Sequence, residues 1–180
     1  MKKIVWKYGL IAGALIATWA VGAITLCYNI DNYAGDMLLG YTAQILALSF
    51  VYVGVKSYRD KQNAGVITFG KALRLGLLIS LVACTIFVLA WAIDYIFFIP
   101  DFMDKFTIES IKAAQKSGKS AAEISKQVAK AAQMKEMYKN PIWFTLFTYM
   151  EVLPTGLPIP FIVALILKKK ANDEGQVATA

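Results

Sequence analysis

Apolar residues gather in four long runs along this chain, roughly 5–27, 37–55, 73–99 and 141–167, with charged residues at most of their ends. A helix needs about 20 largely apolar residues to cross about 30 Å of hydrocarbon, and each run meets or nearly meets that length. No stretch alternates apolar and polar residues as a strand of a membrane barrel would. The pattern predicts an all-α, integral membrane four-helix bundle, a single membrane domain over residues 1–170 with a short polar tail at 171–180.

Between the third and fourth runs the pattern changes. Residues 101–140 read as a helical hairpin. Phe102, Phe106 and Ile111 fall near one helical face, Ser117-Gly118-Lys119 reads as a turn, and Ser120 with Glu123 has the spacing of a capping box. The second helix carries Ile124, Val128, Ala131 and Met134 or Met137 at three- and four-residue spacing, and Asn140-Pro141 ends it. Both apolar faces are expected to pack on each other and on the membrane surface, with a partner-binding groove as the alternative.

Hydrophobic residues make up 58% of the chain, and mean hydropathy is +0.53, high for a water-soluble domain. A net charge of +7 would hint at nucleic acid in a soluble protein. Here the bases cluster at membrane edges, where they set orientation and meet anionic headgroups, so the bilayer is the expected partner and nucleic acid is not. Lys2, Lys3 and Lys7 precede the first run. Lys56, Arg59, Lys61, Lys71 and Arg74 surround the turn between the second and third, and Lys168, Lys169 and Lys170 close the fourth. Four crossings put all of these on one side, opposite a connection at 28–36 that holds Asp31 and Asp36 and no base. Both termini are therefore expected to be cytoplasmic. The eight lysines of 101–140 weigh against this, but five acids accompany them and long segments steer orientation less. Met1-Lys2-Lys3 before an apolar run also resembles a signal peptide. The length of the run, Lys7 within it and the lack of an A-x-A site favour a retained span.

Candidate chemistry is sparse. The chain has no histidine, which removes the commonest general base and the commonest metal ligand. Its two cysteines, Cys27 and Cys84, lie at different depths, so neither a disulfide nor a zinc site is expected. No cofactor, metal or enzymatic activity is expected. Gly118-Lys119-Ser120 imitates the end of a phosphate-binding loop, but position 113 is Ala113 and no strand precedes it.

Small residues four apart permit close helix packing in lipid. Gly9, Gly13 and Ala17 form such a stripe on the first span; Ala72, Gly76, Ser80 and Cys84 form another on the third. These helices are expected to pack on each other, or on copies in an oligomer.

Polar groups at depth are the best functional candidates. Asp94 lies about a turn below the end of the third span and reads as interfacial. Glu151 lies about 15 Å along the fourth. Gln44 on the second span is a candidate hydrogen-bond partner. Just beyond Glu151 come Pro154, Gly156, Pro158 and Pro160, which should break or kink the helix and free carbonyls that neighbours must satisfy. A broken helix beside a buried carboxylate is a transporter design, although no inverted repeat accompanies it.

The turn between spans two and three includes Arg59, Asp60, Lys61, Gln62, Asn63, Ala64, Gly65, Val66, Ile67, Thr68, Phe69, Gly70 and Lys71. Asn63-Ala64-Gly65 reads as the turn itself, and Thr68 as the cap of the next helix. This stretch, Met37–Thr42 before it, and the segments around Phe97–Phe102 and Tyr138–Pro141 resemble the bacterial membrane proteins grouped as domain-of-unknown-function family 4199. The resemblance covers roughly residues 3–170. It implies a membrane fold and location, and brings no activity or site residues.

The expectation is a non-enzymatic inner-membrane protein: a structural, accessory or sensing subunit that meets lipid and either its own copies or a membrane protein partner. The alternative is a small oligomeric transporter or proton-coupled carrier built around Glu151.

Overall fold

The computed structural model describes residues 1–29, 37–116, 118 and 120–169. Asp31 and Asp36, Ser117 and Lys119 of the expected hairpin turn, Lys170 and the tail at 171–180 lie outside the described residues, as does the side chain of Cys27.

Seven helices follow one another: α1 (Lys2–Asn29), α2 (Met37–Gln62), α3 (Phe69–Phe97), α4 (Phe102–Lys116), α5 (Ala121–Tyr138), α6 (Pro141–Gly156) and α7 (Pro158–Leu167). Among the described residues four spans are long and apolar enough to cross a membrane, Lys2–Leu26, Leu38–Gln62, Phe69–Phe97 and Pro141–Leu167, the last made of α6 and α7 together. No β-strand occurs among the described residues. Large apolar side chains such as Leu46, Leu81, Leu89, Ile142 and Ile166 lie on the outside of the bundle. In water such a surface would be an aggregation patch; in lipid it is the solvated face.

Helix ends reach past the apolar runs: α1 starts at Lys2, α2 runs on to Gln62 and α3 starts at Phe69. Apolarity stops where hydrocarbon stops, but backbone hydrogen bonding continues into water wherever the residues suit a helix, as Lys56 and Arg59 do.

α3 is the axis of the bundle. It packs on α1, α2, α6 and α7. Its contact with α1 is very close: a Cβ added at Gly9 would lie 2.7 Å from Val82 Cβ, and one at Gly13 would lie 2.7 Å from Ile86 Cδ1. The stripe on α3 meets a different neighbour from the one expected. Gly76 faces Pro160, and Ser80 and Cys84 face Gly156, so the two small-residue stripes do not interlock. Each lets a separate helix approach α3.

The last span breaks at Leu157, as the prolines require. Pro160 has no N–H to give the carbonyl of Gly156 four residues back. Ser80 Oγ donates to that oxygen at 2.6 Å, so a buried hydroxyl on α3 replaces the missing backbone donor. Cys84 is a free, buried thiol beside it.

At the end of the bundle that carries the N-terminus, Ile67 and Lys169 exchange two backbone hydrogen bonds of 3.0 and 2.9 Å. Thr68 occupies the cap position of α3 with extended backbone, but its side chain makes no capping bond.

At the other end, α4 and α5 pack on one another, and α5 packs on α6. Gly118 takes the left-handed φ of 71° in the connection, which glycine adopts without a steric penalty. The Ser120–Glu123 capping box forms in both directions, at 3.3 Å from Glu123 N to Ser120 Oγ and 2.9 Å from Ser120 N to Glu123 Oε2. Asp104 and Lys135 join the two helices by an ion pair. Asn140 caps α6 by accepting from Ile142 N at 2.9 Å, with Pro141 in the first turn, where its missing N–H costs nothing.

Candidate functional site

Side chains from six helices enclose a cavity of about 480 Å³ in the half of the bundle nearer the α4–α5 hairpin. Helices α1 and α6 both pack on α3 and on α2, and the cavity opens where they face one another. Trp19 and Ala20 come from α1, Gln44 from α2, Phe87 and Trp91 from α3, and Glu151 from α6. Phe102 and Phe106 of α4 and Met134 and Tyr138 of α5 close it from above. The hairpin helices pack on each other, and apolar side chains of both also roof this space.

An aromatic network holds the roof to the bundle. Trp91 meets Phe102 edge-on at 5.2 Å between ring centres, and Phe102 stacks on Phe106 at 5.9 Å. Tyr138 meets Tyr95 at 5.9 Å and Phe144 at 5.4 Å. These separations suit edge-to-face and offset pairing. The rings therefore couple α4 and α5 to α3 and α6.

Glu151 reaches into the cavity, and among the described residues no hydrogen bond or ion pair engages its carboxylate. It is not sequestered in protein; its side chain is open to the cavity. Burial pushes the Tyr138 phenol up to about 12, and the Glu151 carboxylate adds to the rise. At the hairpin's surface, Asp104 holds the Lys135 ammonium above the ordinary lysine range.

Gln44 does not pair with Glu151. Its Oε1 accepts from Thr155 Oγ1 at 2.7 Å, a hydroxyl shared with the Val152 carbonyl at 2.9 Å. Thr155 lies one turn beyond Glu151 on α6, next to Pro154, and that places it against Gln44. Asp94 is likewise not brought to the cavity wall. It is only 3% exposed, and its Oδ2 lacks a hydrogen-bond partner among the described residues. Pro154, Gly156, Pro158 and Pro160 lie deeper than the cavity, where Gly156 and Pro160 seat on α3.

The remaining candidates serve the turn at the far end. Arg59 Nε bonds Asp60 Oδ1 at 2.7 Å, and Arg59 Nη1 reaches the Leu167 carbonyl at 3.4 Å. Lys71 Nζ bonds Asn63 Oδ1 at 2.7 Å and lies over the Tyr58 ring. These contacts knit the α2–α3 connection to the end of α7 and are about as far from the cavity as the bundle allows.

Sequence reasoning missed the aromatic walls and Thr155. A partial signal existed for the former: Phe102 opens α4, Tyr138 closes α5, and Trp91 lies in the half of α3 that leads to them. No group of three or more potential metal ligands occurs among the described residues.

The family described as "protein of unknown function (DUF4199)" matches residues 7–169. No curated protein and no solved structure gives a significant match to the chain.

Proposed function

From the premise that the chain belongs to the DUF4199 family, we propose that it is a non-enzymatic sensing subunit of the inner membrane that takes an amphiphilic small molecule into the hairpin-end cavity. The cavity carries this reading. At about 480 Å³ it falls within the range of small-molecule sites, and apolar walls with a few polar groups are what such sites have. Positive residues at the opposite end support cytoplasmic termini and a hairpin facing outward.

Sensing is favoured over carriage by what lies beneath. Leu48, Val51, Leu75, Ile79 and Val152 fill the core below the cavity and have no exposure. A ligand would be held at one end. Its occupancy would be felt by α4 and α5, whose Phe102, Phe106 and Tyr138 touch it, and passed to a second copy or a membrane partner through the hairpin surface. A carrier is the second reading, favoured by the break at Leu157 one and a half turns beyond Glu151.

The test is native mass spectrometry from mild detergent with a neutral amphiphile, N-phenylnaphthylamine, added to wild type and Ala20→Trp, which fills the cavity. Wild type should bind one molecule and the filled variant none, with slower amide exchange in α4 and α5 on binding. Equal binding by a normally folded Ala20→Trp would refute the proposal. Ligand-coupled proton flux in proteoliposomes, lost in Glu151→Gln, would replace sensing by carriage.

A further inference from the structure

The chemistry of the cavity wall is one-sided. Among the described residues its only ionisable groups are Glu151 and Tyr138, and no lysine or arginine lines it. The hairpin bases nearest to it are occupied elsewhere: Lys135 pairs with Asp104, Lys139 with Glu136 and Lys105 with Asp101. Gln44 Oε1 is taken by Thr155. A carboxylate about 15 Å along a span, with no cation beside it among the described residues, is costly in an apolar setting. The groups that surround it are rings. Trp19, Phe87, Trp91, Phe102, Phe106 and Tyr138 contribute to one wall, and ring faces attract cations, tryptophan most strongly.

We propose that the ligand of this cavity is a lipophilic monocation, an organic ammonium or phosphonium with an apolar body, whose charge is met by Glu151 and whose body lies among the aromatic rings. This deepens the sensing reading and rests on it. An anion would find no counter-charge in the wall and would meet Glu151. A neutral amphiphile would be accepted but would leave the carboxylate unpaired. Two features thus converge: a carboxylate open to the cavity, and an aromatic enclosure of a size that fits a small ligand.

Tetraphenylphosphonium and tetraphenylborate have nearly the same shape and opposite charge, so together they isolate the charge preference. Binding of each to the full chain in mild detergent is measured by isothermal titration and native mass spectrometry, with N-phenylnaphthylamine as the neutral reference. The phosphonium should bind wild type at least tenfold more tightly than the borate. Glu151→Gln should weaken the phosphonium at least tenfold, narrow or reverse the preference, and leave the neutral probe within about twofold of wild type, a change too small to register against the tenfold unit of 1.4 kcal/mol. Trp19→Leu should weaken the phosphonium severalfold more than the neutral probe.

Equal affinity for the two ions, or a phosphonium affinity unmoved by Glu151→Gln, overturns the proposal and leaves cavity binding standing. A Glu151 that stays protonated would give that second result. Failure of all three probes to bind overturns both this inference and the sensing function. Retained neutral binding in Glu151→Gln shows that the variant is folded, so a loss of phosphonium affinity is a loss of charge recognition.

Discussion

Gly9→Ala adds one methyl group at the closest approach of α1 to α3. Its Cβ would sit 2.7 Å from both Cβ and Cγ1 of Val82 and 3.1 Å from the Ile79 carbonyl oxygen. Non-bonded carbons rest at about 3.5–4.0 Å, so the surfaces must part by roughly 1 Å. Val82 Cβ is fixed to its own backbone and the Ile79 oxygen is backbone, so no rotamer change relieves the clash; the helices themselves must move. Overpacking of this kind costs about 1–3 kcal/mol. Alanine returns about 1 kcal/mol through its better helix propensity, for a net loss of about 0–2 kcal/mol. Gly22, on the same helix, has nothing within 4 Å of its hypothetical Cβ, so Gly22→Ala keeps the propensity gain alone and should be neutral or slightly stabilising. The pair controls for helix and residue type better than any single variant. Stability is read by adding SDS to protein in mild detergent and following near-ultraviolet circular dichroism. If Gly9→Ala proves as stable as Gly22→Ala, the close α1–α3 contact is not what holds the two helices together, and the glycine stripe needs another explanation.

Ser80→Ala removes the donor to the Gly156 carbonyl and should cost about 1 kcal/mol in the same assay; no loss would mean that the carbonyl is satisfied without Ser80. Ser120→Ala breaks the capping box and should cost about 1 kcal/mol, seen as faster amide exchange at the start of α5 while α1 to α3 are unchanged. Tyr138 should titrate near 12 in the folded protein against 10 when unfolded. Its neutral form is favoured by folding, so this contribution is complete below pH 10 and is lost as pH rises from 10 to about 12. Tyrosinate absorbance on folded wild type against Tyr138→Phe checks it, and a missing tyrosine that titrates near 10 would contradict the burial.

The spans, the break and the hairpin were legible because each has a local cause. Length and apolarity specify a crossing, proline removes a donor, and Ser120 with Glu123 satisfies its own helix end. Residue partners were not legible, because they depend on which helices become neighbours. Gly76 and Ser80 were visible as a small-residue stripe, but nothing local says that it faces Gly156 and Pro160 and not Gly9. Gln44 was visible as a polar group at depth, yet Thr155 claims it through a rotation of α6 that only the packed bundle defines. The cavity is a gap between elements, so no segment of sequence encodes it, although its rings were each in plain view. Asp94 was visible as a carboxylate near a helix end, but its burial is set by packed neighbours and has no local signature.

The two backbone bonds between Ile67 and Lys169 have a mechanical meaning. Together with Arg59 and the seat of Pro160 on Gly76, they pin α7 at its far tip and along its side. Helix α6 is fastened differently: Thr155 bonds Gln44, Tyr149 shares a 2.9 Å hydrogen bond with Thr85, and Phe144 packs on Tyr95 and Tyr138, while its Glu151 face opens on the cavity. The last span is therefore held on both sides of the break at Leu157, by backbone bonds and a proline seat beyond it and by side chains before it. A load placed at Glu151 would press α6 onto α2 and α3 and reach the hairpin through Phe144 and Tyr138, a shorter route than the one through α7 to the α2–α3 connection.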